Sequence, residues 1–170
     1  MSGRWSQRLS AVVSVGCSKR GNPMSNPNTL IRPLTKREID GFPKDVIIDL
    51  EAPFKDVRGE IQPLVDETME SAVMISSAKG TVRANHYHKT DWHYCYVISG
   101  RIEYHHRPHG SDQVPEVVVI DQGQLFFTPP LVDHAMVFLE DTTFLTLGRN
   151  SRRQEVYEAD VERIVMVRAD

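Results

Sequence analysis

Gly80-Thr-Val-Arg-Ala-Asn-His86-Tyr-His88-Lys-Thr-Asp-Trp-His93-Tyr-Cys-Tyr-Val-Ile-Ser-Gly100 places three histidines where two strands and a short turn are predicted. His86 and His88 are two residues apart, so both imidazoles lie on one face of a strand. His93 belongs to the next predicted strand. If the two strands pair antiparallel across the turn at 89–91, His93 comes level with His88.

A fourth histidine, His134, follows a Pro129-Pro130 turn at the start of a later predicted strand. A lone histidine beside a strand is more often a hydrogen-bonded structural residue than a ligand, and a His-x-His pair arises easily by chance. Here four of the seven histidines fall at strand ends or turns that flank one predicted core face. We therefore predict a metal site formed by His86, His88, His93 and His134. The other three histidines are predicted to be exposed: His105, His106 and His109.

From about residue 30 the chain consists of short apolar or β-branched runs that are separated by turn residues. Runs at this spacing, with little helical periodicity between them, predict an all-β sandwich or barrel. Only residues 155–165 are predicted to form a short C-terminal helix, which can equally end as a strand. The predicted strands are 46–50, 61–65, 72–76, 81–88, 92–98, 101–106, 116–120, 124–128, 135–139 and 143–147, with loops at 55–60 and 107–115.

The composition excludes several classes of protein. Hydrophobic residues make up 40% of the 170 residues, charged residues 25%, and the net charge is −3. Because the basic residues are scattered, we expect no nucleic-acid or membrane partner. The two cysteines, Cys17 and Cys95, do not make a disulfide framework, which favours a cytoplasmic location. We predict that residues 1–29 are a disordered or loosely attached extension and that 30–170 form a single domain.

Two spaced motifs resemble those of the cupin superfamily. The first spans 80–100, and glutamate is more usual in cupins at the position of His93. The second spans 123–138; glycine is more usual at Leu131, and an asparagine often stands at the position of Phe138. The resemblance implies an RmlC-like fold, a double-stranded β-helix that forms a small jelly-roll barrel with ligands at its mouth.

The donor set indicates which metals the site would take. Imidazole suits Zn, Fe or Ni, and Mn is a further candidate, whereas the loss of the carboxylate at His93 disfavours magnesium. Coordination requires neutral imidazole, so we expect metal occupancy to fall as the pH drops toward about 6. Four histidines on a six-coordinate ion leave two positions open, whereas four on a tetrahedral zinc leave none and make the metal structural.

The resemblance narrows to cupins that act on sugar nucleotides. Asp56-Val-Arg58-Gly59, followed by Arg83-Ala-Asn-His86-Tyr-His88-Lys89, is similar to segments of dTDP-4-dehydrorhamnose 3,5-epimerases and of 3,4-ketoisomerases. A metal-binding cupin of capsular polysaccharide biosynthesis is a further relative. Ala84 departs from the usual glycine, and no residue matches the acid partner of the epimerases.

This resemblance implies an isomerase or epimerase that acts on a nucleotide-linked keto sugar. His86 would be the base that removes the proton next to the carbonyl. If His86 binds metal instead, Tyr87 or Lys89 would handle protons. Arg58 and Arg83 would clamp the diphosphate, although each can equally form a surface salt bridge.

Two other functions stay open at this point. A histidine-only centre with open positions also suits a non-haem iron dioxygenase, and a closed site suits a non-catalytic small-molecule-binding cupin with a structural metal. The aromatic face formed by Trp92, Tyr94 and Tyr96 either packs within the chain or lies between two subunits. The family resemblance favours a homodimer.

Overall fold

The computed structural model describes residues 30–168, and in this range the chain forms twelve strands and two short helices. The helices are α1 (Lys36–Gly41) and α2 (Gln154–Asp160). The strands are β1 (Ile47–Ile48), β2 (Phe54–Asp56), β3 (Gly59–Ile61), β4 (Ser71–Ser77), β5 (Val82–His88), β6 (His93–Ser99), β7 (Arg101–Pro108), β8 (Glu116–Asp121), β9 (Leu125–Thr128), β10 (Val132–Phe138), β11 (Thr142–Gly148) and β12 (Val161–Arg163).

Ten of these strands form two antiparallel sheets. The strand order is β1-β9-β6-β11-β4 in the first sheet and β12-β5-β10-β7-β8 in the second, while β2 and β3 form a separate hairpin. Most neighbours in the sheets are far apart in sequence: β5 pairs with β10 and β12, and β6 pairs with β9 and β11, whereas β7 and β8 are consecutive. This architecture confirms the predicted all-β fold.

The core follows from the two-residue alternation along the strands, because every second side chain of a strand points to the same face. In β7, for example, Ile102 and Tyr104 are fully buried and the residues between them are not. The buried hydrophobic cluster comprises Val46, Cys95, Val97, Ile102, Tyr104, Val118, Ile120, Phe126, Met136, Phe138 and Phe144.

Strand β5 contains a bulge immediately before His86. His134 of β10 lies opposite His86, but the next residue of β10, Ala135, lies opposite Ala84, so Asn85 is the extra residue. Ala84 and Asn85 adopt left-handed backbone conformations, with φ of 65° and 53°. A bulge of this kind bends a strand and redirects its side chains. The bulge therefore controls how His86 enters the barrel.

The N-terminal part of the described chain is tied to the barrel by a buried arginine. Helix α1 begins with a capping box, in which Thr35 and Glu38 bond each other's backbone N–H groups. Glu38 also accepts hydrogen bonds from Arg149, whose side chain is 2% exposed. Arg149 donates further to the carbonyl oxygens of Arg32 and Pro33. One buried guanidinium thus fixes α1 at the end of β11.

Several local predictions need correction. The predicted strand 61–65 is wrong: the pairing is earlier, in the β2–β3 hairpin, and the predicted turn at 55–60 forms most of that hairpin. His106 is buried rather than exposed, because it continues the inward row of Ile102 and Tyr104 on β7. Helix α1 was not predicted, whereas α2 followed by β12 confirms a C-terminal helix that ends as a strand.

Two of the three residues of the aromatic face, Trp92 and Tyr94, pack within the chain. Trp92 contacts Phe42 and Phe127 at ring-centroid distances of 6.1 and 5.9 Å, and Tyr94 contacts Phe127 at 5.0 Å. Tyr96 is half-buried on the same face. The predicted extension at 1–29 and Cys17 lie outside the described residues. No helix between residues 30 and 168 is both long and apolar enough to cross a membrane.

Candidate active site

Three of the four predicted metal-binding histidines meet inside the barrel. His86 and His88 come from β5, and His134 comes from the neighbouring strand β10. One nitrogen from each ring lies within 4.8 Å of the other two. The ring of His86 meets those of His88 and His134 edge to face, at centroid distances of 4.7 and 4.6 Å. The three rings therefore converge on one point.

Hydrogen bonds orient two of these rings. His88 Nδ1 donates to Asp160 Oδ2 at 2.9 Å, and Asp160 Oδ1 accepts from the backbone and hydroxyl of Thr90 at 2.8 and 2.7 Å. His134 Nδ1 donates to the carbonyl oxygen of Val132 at 3.0 Å. With Nδ1 protonated, Nε2 of each ring carries the free lone pair. The Nε2 atom of His88 is buried and has no hydrogen-bond partner among the described residues.

The cluster stays uncharged at neutral pH. Burial lowers the pKa of His86 far below the usual value, and the neighbouring imidazoles add to this effect. Burial also lowers the pKa of His88, although the hydrogen bond to Asp160 opposes the shift. Burial also lowers the pKa of His134 to about 3. Neutral rings are what metal binding and proton abstraction both need. The expected loss of metal near pH 6, which assumed ordinary imidazoles, therefore moves to lower pH.

His93 lies beside the cluster but bonds a carboxylate. Its ring centroid is 4.8 Å from that of His88, and its Nε2 lies 2.9 Å from Asp91 Oδ2. Although burial raises the pKa of Asp91, the charge and hydrogen bond of His93 lower it to about 2. A Cβ at Gly148 would lie 2.6 Å from Ser71 Oγ and 3.1 Å from a ring carbon of His93, so glycine at this position avoids a tight contact with the ring. His93 and Asp91 thus form a buried pair next to the three-histidine cluster.

The histidines form the floor of a cavity of about 330 Å³. Three exposed arginines surround its mouth: Arg83 from β5, Arg152 ahead of α2 and Arg163 from β12. Tyr157 of α2 also lines the cavity, 6.4 Å from His86 between ring centroids, and the guanidinium of Arg152 lies 4.2 Å above the Tyr157 ring. None of the lining residues in the described part of the chain carries a carboxylate. The cavity thus combines a neutral floor with a cationic rim.

The structure separates some predicted residues from this cavity. Tyr87 points away from the histidines, because it alternates with them on β5, and stacks on His109 at 3.7 Å. Lys89 forms an ion pair with Glu162. Arg58 forms an ion pair with Asp56 at the exposed β2–β3 turn. Of the two arginines predicted to bind substrate, only Arg83 lines the cavity.

The remaining histidines have other environments. His109 is exposed, as predicted, and bonds Asp133. His105 is half-buried rather than exposed, and it bonds Glu103. Burial lowers the pKa of His106 to about 4, and His105 adds to this effect. His106 is the cross-strand neighbour of His134.

Sequence reasoning missed Asp160, Arg152, Tyr157 and Arg163. All four belong to the chain that follows β11, which crosses back over the barrel mouth and pairs with β5. No local pattern marks this return. The available signal was the segment 152–160, which has five charged residues and one tyrosine and follows the last predicted strand of the barrel.

The three converging histidines fit a divalent transition metal. They offer neutral nitrogen ligands, which suit Zn, Fe or Ni. His88 Nε2, whose lone pair would bind the metal, is buried and has no hydrogen-bond partner among residues 30–168. The carboxylate of Asp160 behind His88 is the kind of outer partner that orients metal-binding histidines. A second group of possible ligands, His88, Asp91 and Asp160, is already hydrogen-bonded within the protein.

Comparison with known proteins bears on the fold. No protein-family model and no curated protein matches this sequence. Among solved structures, the chain is similar to a double mutant of the 3,4-ketoisomerase QdtA from Thermoanaerobacterium thermosaccharolyticum in complex with TDP. The TM-score is 0.56 at 20% identity, covering 69% of this chain and 85% of that one.

Two further similar structures are epimerases. The 3'-monoepimerase ChmJ from Streptomyces bikiniensis, in complex with dTDP-quinovose, gives a TM-score of 0.55 at 15% identity, covering 68% of this chain and 67% of that one. The dTDP-4-dehydrorhamnose 3,5-epimerase from Sulfolobus tokodaii gives 0.53 at 19% identity, covering 68% and 81%. These likenesses show that the chain has the jelly-roll fold of the RmlC-like cupins, as the two sequence motifs predicted.

Proposed function

We propose that this protein is an isomerase or epimerase that acts on a nucleotide-linked keto sugar. One observation carries the proposal: the cavity has buried, neutral histidines at its floor and three arginines at its mouth, with no carboxylate among its described lining residues. The likeness to proteins whose structures hold TDP or dTDP-quinovose supports the same class of ligand.

The rim would bind the diphosphate of such a substrate. Guanidinium groups pair with phosphate oxygens through two parallel hydrogen bonds. Arg163 already pairs with Glu158, and Arg83 already donates to Ser77. Arg152 makes no hydrogen bond or ion pair with any residue that the structure describes. Arg152 is therefore the arginine whose donors are most available to a ligand.

The floor would perform the proton transfers. A proton on the carbon next to a ketone is acidic, and a neutral imidazole at the cavity floor can remove it. His86 is the base in this proposal, and the hydroxyl of Tyr157 is placed to donate a hydrogen bond to the oxygen that gains charge. Return of the proton to the opposite face of the same carbon completes an epimerisation. Return to the former carbonyl carbon completes an isomerisation if the neighbouring hydroxyl also gives its proton to the former carbonyl oxygen.

A divalent metal on His86, His88 and His134 would change these assignments. When bound, such a metal supplies Lewis-acid polarisation of a ligand carbonyl. With His86 engaged as a ligand, Tyr157 and the His93–Asp91 pair are the groups left to hold or move a proton. Tyr87 and Lys89 are not, because their side chains lie outside the cavity.

The test is proton exchange with solvent. The purified protein is incubated in D2O with dTDP-4-keto-6-deoxyglucose, and the sugar is followed by proton NMR. We expect deuterium to enter next to the carbonyl and new sugar resonances to appear. His86→Gln should abolish the exchange, whereas His105→Gln, on the far face of the sheet, should leave it unchanged. Substrate that binds without exchanging any carbon-bound proton would overturn the proposal.

The three-histidine donor set also favours a second candidate, an iron-dependent oxygenase. Three neutral nitrogen ligands would leave open positions on a six-coordinate ion, as oxygen chemistry requires. Metal analysis of protein purified without a histidine tag is the first step. Oxygen uptake that requires Fe(II), in protein that shows no sugar exchange, would favour this candidate. If zinc is bound with a closed shell, the metal is structural.

We further propose a cytoplasmic homodimer. Cys95 is buried and forms no disulfide within residues 30–168, which fits a reducing compartment. The outer face of the first sheet still carries exposed apolar side chains, Met74 and Ile98. Light scattering coupled to size exclusion should give about twice the chain mass, and Met74→Glu should reduce it; a monomer would contradict the proposal. Recovery of the protein outside the cytoplasm on cell fractionation would contradict the location.

A further inference from the structure

The C-terminal segment (152–167) forms one wall of the cavity and is held against β5 by short contacts. Asp160 at the end of α2 bonds His88 and Thr90. Strand β12 then pairs with β5 in register, with Arg163 opposite His86. Beyond Arg163 the ladder meets the bulge in β5, where ordinary strand pairing stops.

At this point, hydrogen bonds from Asn85 take the place of the pairing between β5 and β12. Its carbonyl oxygen accepts from Ile164 N at 2.8 Å. Its side-chain Oδ1 accepts from the N–H groups of Met166 and Val167, both at 3.0 Å, and its Nδ2 donates to the carbonyl oxygen of Val167 at 2.7 Å. Asparagine is among the few residues besides glycine that tolerate the left-handed backbone found here. One side chain thus bonds three backbone groups more than 80 residues away in the chain.

We propose that Asn85 is a positioning residue that clasps the C-terminal segment and so sets the place of Arg163 at the cavity mouth. The segment is fixed on one side of Arg163 by the Asp160–His88 bond and on the other by Asn85. Asn85 precedes His86 directly, so the same residue borders the floor and holds the rim. This inference rests on the proposed function for its consequence, which is binding of a nucleoside diphosphate.

The test compares variants of the full-length protein. Asn85→Gly removes the side chain and keeps the backbone conformation without strain. Asn85→Asp keeps the acceptor for the two N–H groups and loses the donor to Val167. Val165→Ala is the control, because Val165 lies in the same segment with an exposed side chain and leaves the clasp intact. Hydrogen exchange of the amides at 164–168 reports on the clasp, and calorimetric titration with dTDP reports on the rim.

We expect the amides at 164–168 to exchange about tenfold faster in Asn85→Gly, while peptides from β10 and β11 keep the wild-type rate. Affinity for dTDP should fall about tenfold, the loss expected when displacement of Arg163 removes one hydrogen bond to the diphosphate. For Asn85→Asp, both the exchange rate and the dTDP affinity should lie between those of Asn85→Gly and those of the wild type. Val165→Ala should match the wild type in both.

Unchanged exchange at 164–168 in Asn85→Gly would overturn the clasp. Faster exchange with unchanged dTDP affinity would overturn the positioning role. Wild-type protein that fails to bind dTDP would contradict the proposed function instead, and the exchange comparison, which needs no ligand, would then judge the clasp by itself.

Discussion

At the scale of single residues, the carboxylate of Asp160 links the C-terminal helix to the histidine cluster. It accepts hydrogen bonds from His88, from the backbone and hydroxyl of Thr90 and from the backbone of Asp91. The pKa of Asp160 is lowered: burial raises it, but the bonds from His88 and Thr90 outweigh burial. An ionised partner behind a histidine fixes its tautomer and strengthens it as a donor.

Replacing Asp160 with asparagine should therefore weaken metal binding about 10- to 100-fold, because the charge behind His88 is lost. The measurement is a zinc titration against a competing chelator. Glu155→Gln is the matched control, since Glu155 is an exposed acidic residue on the same helix. Equal zinc affinity in Asp160→Asn and wild type would rule out this role.

The bulge in β5 supplies a second prediction at this scale. Ala84 has a φ of 65°, a conformation that costs an L-residue about 1–2 kcal/mol. Ala84→Gly should raise the free energy of unfolding by up to about 1 kcal/mol, after allowance for the greater freedom of glycine in the unfolded chain. Urea denaturation measures the change. The control, Ala72→Gly on the exposed side of β4, should lower stability, and equal effects of the two substitutions would contradict strain at Ala84.

At the scale of secondary-structure elements, the attachment of α1 depends on a charge pair. Glu38 keeps α1 capped and pairs with the buried Arg149. Although burial raises the pKa of Glu38, Arg149 and Thr35 lower it from 4.5 to about 2. A depressed carboxyl pKa stabilises the fold above pH 4.5, and this contribution is lost as the pH falls from 4.5 toward 2.

Glu38→Gln should therefore cost about 2 kcal/mol of stability at pH 7, the usual size for a hydrogen bond to a charged group. The difference from wild type should shrink as the pH falls through 4.5 toward 2. Denaturant unfolding at a series of pH values measures both effects. Lys36→Ala, which breaks an exposed ion pair with Asp40 in the same helix, should change stability by less than about 0.5 kcal/mol. A pH-independent effect of Glu38→Gln would contradict the assignment.

Local sequence predicts which strand residues face the barrel interior, but it does not predict how α1 is attached. Alternation along β5 brings His86 and His88 to one face, as predicted, and the same rule places His106 inside the barrel with Ile102 and Tyr104. The burial of His106 was not predicted, because its position next to a polar loop was given more weight than the alternation along β7. The attachment of α1 could not be predicted from the sequence, since its partners Glu38 and Arg149 are 111 residues apart and only the fold brings them together.

At the scale of the whole molecule, the barrel and the cavity differ in how far sequence predicts them. The motifs at 80–100 and 123–138 place the histidines, because each motif covers two consecutive strands and the short connection between them, which leads from one sheet to the other. The rim depends on the C-terminal segment crossing the mouth, a long-range arrangement with no local signature. Arg58, in a motif similar to those of sugar-nucleotide cupins, lies instead in an exposed hairpin.

A metal bound only by the folded protein would stabilise the whole domain. At a free zinc concentration 100 times the dissociation constant, we expect the free energy of unfolding to rise by about 2.7 kcal/mol, and chelation should reverse this. Thermal or denaturant unfolding with and without zinc measures the effect. The rise should be absent in His134→Ala. A zinc-dependent rise of equal size in that variant would show that the ion binds elsewhere.

The late position of the C-terminal segment in the chain also bears on biosynthesis. A ribosome adds Tyr157, Asp160 and Arg163 only after the strands that enclose the hydrophobic core have been made. Every residue of the buried hydrophobic cluster therefore precedes the wall of the cavity in order of synthesis. The residues of the core are thus complete in the chain before those of the cavity wall.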